Sequence, residues 1–362
     1  MNSLVAPVVP ADPHQIVADD LVGTFDPRIT MLDGLRNASV TVTGGTGFVG
    51  TWLAESVAHL NDRHGFGVSM TLISRSVDRF ALEHPNLSTR EDIRFVKGDV
   101  RHAPDVPRDT TFLFHAAANP DSRFHASRPV ETMQTIAEGT ASVLHAAKMA
   151  SDLRMVVNMS SGLVCGPQPL DTEGLAETHN GAPPVNLATS AYAEAKRYSE
   201  TLCAAVASQD RVPCLTVRPF AFIGPFQSLH TPWAINTFIR EAIARGPIRV
   251  LGSGKTVRSY LYGSDLAFWL LRVAVTGSAG DCMNIGSPHG IDLEGLARII
   301  ARQVDPEPDI VLNFGSGSSR SESRLVPSVA EATRFGLEVT VPLEEALART
   351  IQWNRLRQAD VS

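Results

Sequence analysis

The stretch Thr43-Gly44-Gly45-Thr46-Gly47-Phe48-Val49-Gly50 constrains this chain more than any other. It follows the apolar, β-branched run Ser39-Val40-Thr41-Val42-Thr43 and leads into Trp52, Leu53, Val57 and Leu60, apolar residues at helical spacing. Glycines at 44, 47 and 50 let the turn be tight, let a ligand approach the backbone, and let the helix pack closely on the strand. Such a corner belongs at the start of a parallel sheet, and the rest of the chain supplies one. Runs at 68–73, 93–96, 111–115, 154–159 and 213–218 read as further strands. Between them lie helical patterns such as that of Ile136, Val143, Leu144 and Ala147.

Strands alternating with helices predict an α/β fold of the Rossmann type, a doubly wound parallel sheet covered on both faces, spanning residues 37–220. Beyond Pro219 the loops lengthen, and helical patterns near 234–245, 264–275, 292–303 and 343–356 predict a smaller C-terminal substrate-binding lobe over 221–362, possibly interleaved with the first domain. Residues 1–36, with several prolines and no strong period, are expected to form an arm on the domain surface, partly ordered at best. Gly315-Ser316-Gly317-Ser318-Ser319 reads as a short flexible loop.

Composition narrows the function. At 362 residues with 43% hydrophobic and 19% charged residues, the chain can bury a core without staples. A net charge of -6 with no basic stripe argues against a nucleic-acid partner. Cys165, Cys203, Cys214 and Cys282 show no metal-ligand spacing, so no structural metal is expected and a reducing, cytoplasmic setting is the default. No stretch is apolar enough to span a membrane.

The glycine corner predicts a dinucleotide, its pyrophosphate held by the backbone of Gly44, Thr46, Gly47, Phe48, Val49 and Gly50 at a helix N-terminus. The second strand ends in Ile73-Ser74-Arg75-Ser76, where a carboxylate for a ribose diol is usual. Ser74 and Arg75 instead suit a 2′-phosphate, which favours NADP over NAD. Asp99, followed by Val100, is either an adenine-side contact or a turn residue. Gly252-Ser253-Gly254-Lys255-Thr256 ends like a nucleoside-triphosphate loop, but Arg249 stands where that motif needs glycine, so it reads as a turn.

Tyr192 and Lys196 are four residues apart in a helical pattern and so share one face. A phenol titrates near pH ~10, and a neighbouring ammonium favours phenolate, which makes such a pair able to move a carbinol proton. Thirty-one residues before Tyr192, Ser161 stands in Ser160-Ser161-Gly162-Leu163-Val164-Cys165-Gly166.

Together TGGTGFVG (43–50), HAAA (115–118), SSGLVCG (160–166), YAEAK (192–196), RPFAFIGP (218–225) and GSGKTVRSYLYGSDLA (252–267) resemble, in order, the extended short-chain dehydrogenase/reductase family of nucleotide-sugar epimerases and dehydratases. The resemblance covers roughly residues 37–356. It implies that Ser161 bonds the sugar oxygen, that Tyr192 is the acid/base, and that Lys196 holds the nicotinamide ribose and lowers the tyrosine pKa. Ser160 would be a backbone-bonding neighbour. Phe114, Ala116, Ala117, Ala118 and Pro219 would line the cofactor cleft. Arg258 would contact substrate phosphate and Arg324 supply a second cation, while Arg123, His230 and Asn236 sit on segments near the sugar. A homodimer is expected by analogy.

In the same family, 4,6-dehydratases place Asp-Glu after the catalytic hydroxyl residue and decarboxylating members keep a Glu there; this chain has Gly162-Leu163. Elimination then lacks its proton carriers. What remains is 4-epimerisation through a transient 4-ketosugar, for which Gly162 and Leu163 imply a roomy pocket, or a one-way NADPH-dependent 4-ketoreduction. Cys165, where the family usually has Tyr, reads as a packing residue. A dinucleotide-binding sensor without turnover would have no need of Ser161, Tyr192 and Lys196.

Overall fold

The structure is a computed structural model that describes residues 12–102, 104–179, 181–313 and 322–359. The expected 315–319 loop lies outside the described residues.

Six strands appear where the apolar runs place them: β1 (Ser39–Thr43), β2 (Ser69–Ser74), β3 (Ile93–Lys97), β4 (Phe112–His115), β5 (Met155–Met159) and β6 (Cys214–Pro219). A seventh, Cys282–Ile285, joins beyond β6. The order across the sheet is Cys282–Ile285, β6, β5, β4, β1, β2, β3, and every neighbouring pair is parallel. This is a doubly wound Rossmann-type α/β fold. The chain winds one way from β1 through β2 to β3 and the other way from β4, so the crevice opens between the C-terminal ends of β1 and β4, where such sheets bind ligands.

Alternation along the central strands splits the core in two. Phe112 and Phe114 of β4 and Met155 and Val157 of β5 face the larger cluster, with Trp52, Leu53 and the helix Gly263–Thr276. Leu113 and Val156 face the other side, with Val143, Leu144, Ala147 and Cys203 from the helices Pro129–Ala147 and Ala191–Asp210. β4 and β5 are buried along their whole length, as covering both faces requires.

One expectation changes. Residues 12–36 are no loose arm. Asp12 caps the helix Pro13–Phe25, with Pro13 in its first turn, and Asp26–Leu35 continues in 3-10 turns. Ile16, Val17, Leu21, Phe25, Leu32 and Leu35 are buried in the main core. The capping signal was present, but the apolar set is spread over two short elements, so no single period stands out. Within that helix Asp20 is buried, accepts a hydrogen bond from Tyr262 Oη (2.5 Å) and pairs with Arg349 of the helix Leu343–Ala359.

After residue 220 the chain returns to the Rossmann unit, the interleaving that the sequence reading allows for. The helix Gly263–Thr276 lies in the main core and Cys282–Ile285 completes the sheet. The remainder builds small sheets, including Val257–Arg258 between Ile291–Asp292 and Arg324–Leu325. Gly252 and Gly254 adopt left-handed φ of 78° and 73°, and Lys255 pairs with Asp292 and Glu294, as a turn rather than a phosphate cradle would.

Candidate active site

β1 delivers the glycine loop to the crevice. At Gly44, with φ of 71°, an added Cβ would lie 2.8 Å from the Ala116 carbonyl oxygen and from Ala117, so the loop can lie against β4's end only as glycine. At Gly50 an added Cβ would lie 2.3 Å from the Gly45 carbonyl oxygen, which explains the third glycine as a packing requirement. Gly47 is the N-cap of the helix Phe48–His64, and no side chain caps that end. Free N–H groups and the positive end of the helix dipole therefore face the crevice, a fit for a dinucleotide pyrophosphate.

Ser74, at the end of β2, exchanges a 2.7 Å hydrogen bond with Thr46. Arg75 is exposed beside it. Asp99 is clasped by Arg101, whose hydrogen bonds hold its carboxyl down to about 2, with Arg75 close enough to add to the effect. The expected adenine-side role of Asp99 thus meets a carboxylate already engaged by its neighbour. Ala116, Ala117, Ala118 and Pro219 are half-buried along the crevice, and Val100 is buried. Phe114 is fully buried in the core and does not line the cleft, because β4's side-chain alternation points it into the sheet's other contacts.

Ser161, Tyr192 and Lys196 come together across β5 and the helix Ala191–Asp210. Ser161 caps the 3-10 turn Gly162–Cys165, its Oγ accepting from the Leu163 N–H (3.2 Å), and it hydrogen-bonds the Tyr192 hydroxyl. Lys196 Nζ sits 5.9 Å from the Tyr192 ring centroid and donates to the Met159 carbonyl (2.5 Å). Burial lowers Lys196 to about 8 and raises the Tyr192 phenol above its ordinary value, the bond from Ser161 acting the other way. Desolvation, rather than the ammonium, therefore governs Tyr192 in this arrangement. His115, below them, is buried with Nδ1 on Thr43 (2.8 Å) and Nε2 on Thr140 (3.2 Å), and burial takes it down to about 3.

Sequence spacing missed four participants, His125, Glu200, Arg218 and Phe220. His125 stacks on the Tyr192 ring, centroids 4.3 Å apart at 13°, and its Nε2–H donates to the Asn119 carbonyl (2.6 Å). Ser160 does not bond backbone through its side chain: its Oγ donates to Glu200 (2.5 Å), which also receives two hydrogen bonds from Arg218 (2.8 and 2.9 Å). Glu200 lies four residues after Lys196, a spacing that was available to notice. Phe220 is the fourth. At Gly162 an added Cβ would lie 2.8–2.9 Å from three carbons of the Phe220 ring, so the space freed by glycine is filled by phenyl rather than left open. Leu163 is 46% exposed, and Cys165 is buried, with burial raising its thiol.

The expected substrate contacts divide. Arg258 and Arg324 sit on adjacent parallel strands, Leu325 in register with Arg258. Arg258 donates to the carbonyls of Val257 and Ser323 and to the Ser323 hydroxyl, Arg324 to the Glu173 carbonyl; among the described residues neither pairs with a carboxylate. Arg123, exposed and paired with Asp121, reaches the His230 carbonyl (3.3 Å), so these two segments do meet. Asn236 is fully buried, its amide nitrogen holding the carbonyls of Ser228 and Thr231; its side chain shapes that loop.

Residues 40–286 match the model of the NAD dependent epimerase/dehydratase family. The chain belongs to that family. As an enzyme of this family, of the extended short-chain dehydrogenase/reductase type, it is 25% identical over 332 residues to UDP-glucuronic acid decarboxylase 1 of Xenopus tropicalis, covering 91% of this chain and 75% of that protein. Its fold is similar to that of a UDP-N-acetylglucosamine 4-epimerase from Methanobrevibacter ruminantium (TM-score 0.76, 20% identity, 88% of this chain and 99% of that one). It is also similar to a UDP-glucuronic acid 4-epimerase from Bacillus cereus solved with UDP-glucuronic acid and NAD (TM-score 0.74, 18% identity, 89% and 99%). No helix among the described residues of this epimerase/dehydratase-family chain is long and apolar enough to cross a membrane.

Proposed function

We propose that this enzyme is a nucleotide-sugar 4-epimerase using NAD(P), acting through a transient 4-ketosugar. The observation that carries the reading is the Gly162–Phe220 contact beside Ser161 and Tyr192. Decarboxylating and dehydrating members of the family keep acids at 162–163; here one position has no side chain and no room for one, and the other is leucine.

A bound nicotinamide dinucleotide supplies a hydride acceptor and donor at C4 of the sugar. Ser161 hydrogen-bonds the reacting oxygen, and Tyr192 takes the hydroxyl proton as the ketone forms. Lys196, one turn along the helix, places positive charge beside the Tyr192 phenolate, the form able to take this proton. When the ketosugar has presented its other face, Tyr192 returns the proton. Arg258 and Arg324, without carboxylate partners among the described residues, suit the substrate pyrophosphate, and Arg123 with His230 suits the sugar side. Asn236 would act there by shaping the 228–231 loop.

A second reading, an NADPH-dependent 4-ketoreductase, is favoured by exposed Arg75 beside Ser74, which suit a 2′-phosphate. Exposed Val130, Met133 and Tyr198 on the two outer helices support a homodimer, and four free thiols support a cytoplasmic setting.

The test is incubation with a panel of nucleotide sugars with and without NADPH. Isomer formation without net cofactor consumption is expected, and Tyr192→Phe should slow it by roughly 10²–10⁴-fold. Stoichiometric NADPH loss on a 4-ketosugar selects the second reading. Release of water or carbon dioxide would overturn both.

A further inference from the structure

At the end of the Phe48–His64 helix away from the glycine loop, two imidazoles converge on one oxygen. His59 Nε2 lies 2.9 Å and His64 Nε2 2.8 Å from Asp26 Oδ1, and the three ligand-type atoms all fall within 4.8 Å of one another. Asp26 begins the 3-10 segment that follows the N-terminal helix, so the cluster joins that segment to the main helix. The His59 side chain is 8% exposed and packs edge-on against Phe25, whereas His64 and Asp26, at 20% and 22%, leave one side open to water. Among the described residues the remaining side-chain contact of Asp26 is Arg63 Nε on the other carboxylate oxygen, Oδ2 (2.6 Å).

We propose that Asp26, His59 and His64 form a binding site for a divalent transition-metal ion of the zinc type. Two imidazoles and one carboxylate with an open side are the donor set of three protein ligands plus water that zinc and its neighbours accept. Metal binding replaces the two Nε2–H donors by two lone pairs, the ring protons moving to Nδ1, and keeps Oδ1 as third ligand. Arg63 opposes a second cation by its charge. Its hydrogen bond, however, uses Oδ2 alone, and its 54% exposure lets it remain as the carboxylate's outer partner or swing into solvent. The negative end of the helix dipole favours positive charge at this end. His59 and His64 stand 11 and 16 residues beyond Phe48 along the helix, so the site lies roughly 16–24 Å from the glycine loop, and the ion clamps the N-terminal segment and takes no part in hydride transfer.

The experiment uses the full chain stripped with EDTA and desalted, titrated with Co2+ and then Zn2+. One equivalent of Co2+ should bind with a visible d–d band that Zn2+ bleaches, and Zn2+ should raise the melting temperature. His59→Gln/His64→Gln keeps amide donors for Asp26, so its melting temperature in EDTA should match wild type while its metal affinity falls by at least roughly 10- to 100-fold. No stoichiometric binding, or binding undiminished in the double variant, overturns the site. Should that variant fail to fold, zinc K-edge absorption on the wild type decides: two imidazole scatterers are expected, and sulfur scatterers refute the assignment.

Discussion

Replacing Gly162 by alanine tests the claim that Phe220 occupies the place of a residue-162 side chain. The new Cβ would lie 2.8 Å from Cζ and 2.9 Å from Cε1 and Cε2 of the ring, well inside contact distance. The ring has little room to retreat, because it packs on the cluster of Val164, Cys165 and Leu175. Gly162 has no left-handed φ, so alanine brings a backbone gain of about 0.4–1 kcal/mol through the unfolded chain. Overpacking costs about 1–3 kcal/mol. The second effect wins, and a net loss of about 0.5–2 kcal/mol should appear as a melting temperature lower by about 1–3 °C. In a Phe220→Leu background the same substitution should cost little, giving a coupling of about 1 kcal/mol in the double-mutant cycle. Turnover should fall as well, since Ser161 is the adjoining residue. If Gly162→Ala is as stable as wild type, or its cost is unchanged in the Phe220→Leu background, the ring does not fill that space and the argument against an acid there fails.

Acid should weaken the fold through two histidines. Burial lowers His84 to about 4 and His115 to about 3, against about 6.5 in the unfolded chain, so their contribution is complete above pH ~6.5 and is lost as pH falls toward those values. Melting curves between pH 7 and 4 should steepen accordingly, and His84→Phe should flatten them; an unchanged slope would exclude His84 as a cause. Arg75→Ala should weaken NADP binding about tenfold and leave NAD unaffected, by fluorescence titration; equal losses for both cofactors would remove the 2′-phosphate role. Glu200→Ala leaves the half-buried Arg218 without its carboxylate and Ser160 without its acceptor, a loss of about 3 kcal/mol in denaturant unfolding, while Glu200→Gln should lose much less. Equal effects of the two substitutions would show that the pair's charge is not what matters.

The Rossmann half of the chain was legible because its strands are covered on both faces and so read as uninterrupted apolar runs, with a glycine corner to fix their order. The Cys282–Ile285 strand was not, since its burial depends on β6, sixty residues earlier, and its four residues carry no turn signal of their own. At the site, Tyr192 and Lys196 could be paired by helical spacing alone. Their surroundings could not: His125 reaches Tyr192 from a loop-borne helix, and Phe220 reaches Gly162 from the strand end after β6. Reading Gly162 as open space was reasonable from residue size, but a neighbour distant in sequence decides whether a glycine is a hole or a socket. Counting groups by period likewise hid the N-terminal helix, whose burial is divided between two short elements.

The carboxylate of Asp20 gives the molecule an unusual fastening. It lies twenty residues before the segment that matches the family model, and its partner Arg349 lies sixty-three residues after that segment ends, with Tyr262 of the matched span between them. The stretch by which the family is recognised is therefore not the stretch that folds as a unit. A chain trimmed to residues 40–286 would leave a phenol in the core without its acceptor, and removing either terminal helix alone would strand an ionisable group of the other. The helices Pro13–Phe25 and Leu343–Ala359 should consequently melt with the sheet in one cooperative step, and cleavage within either of them in a native molecule would have to wait for that step.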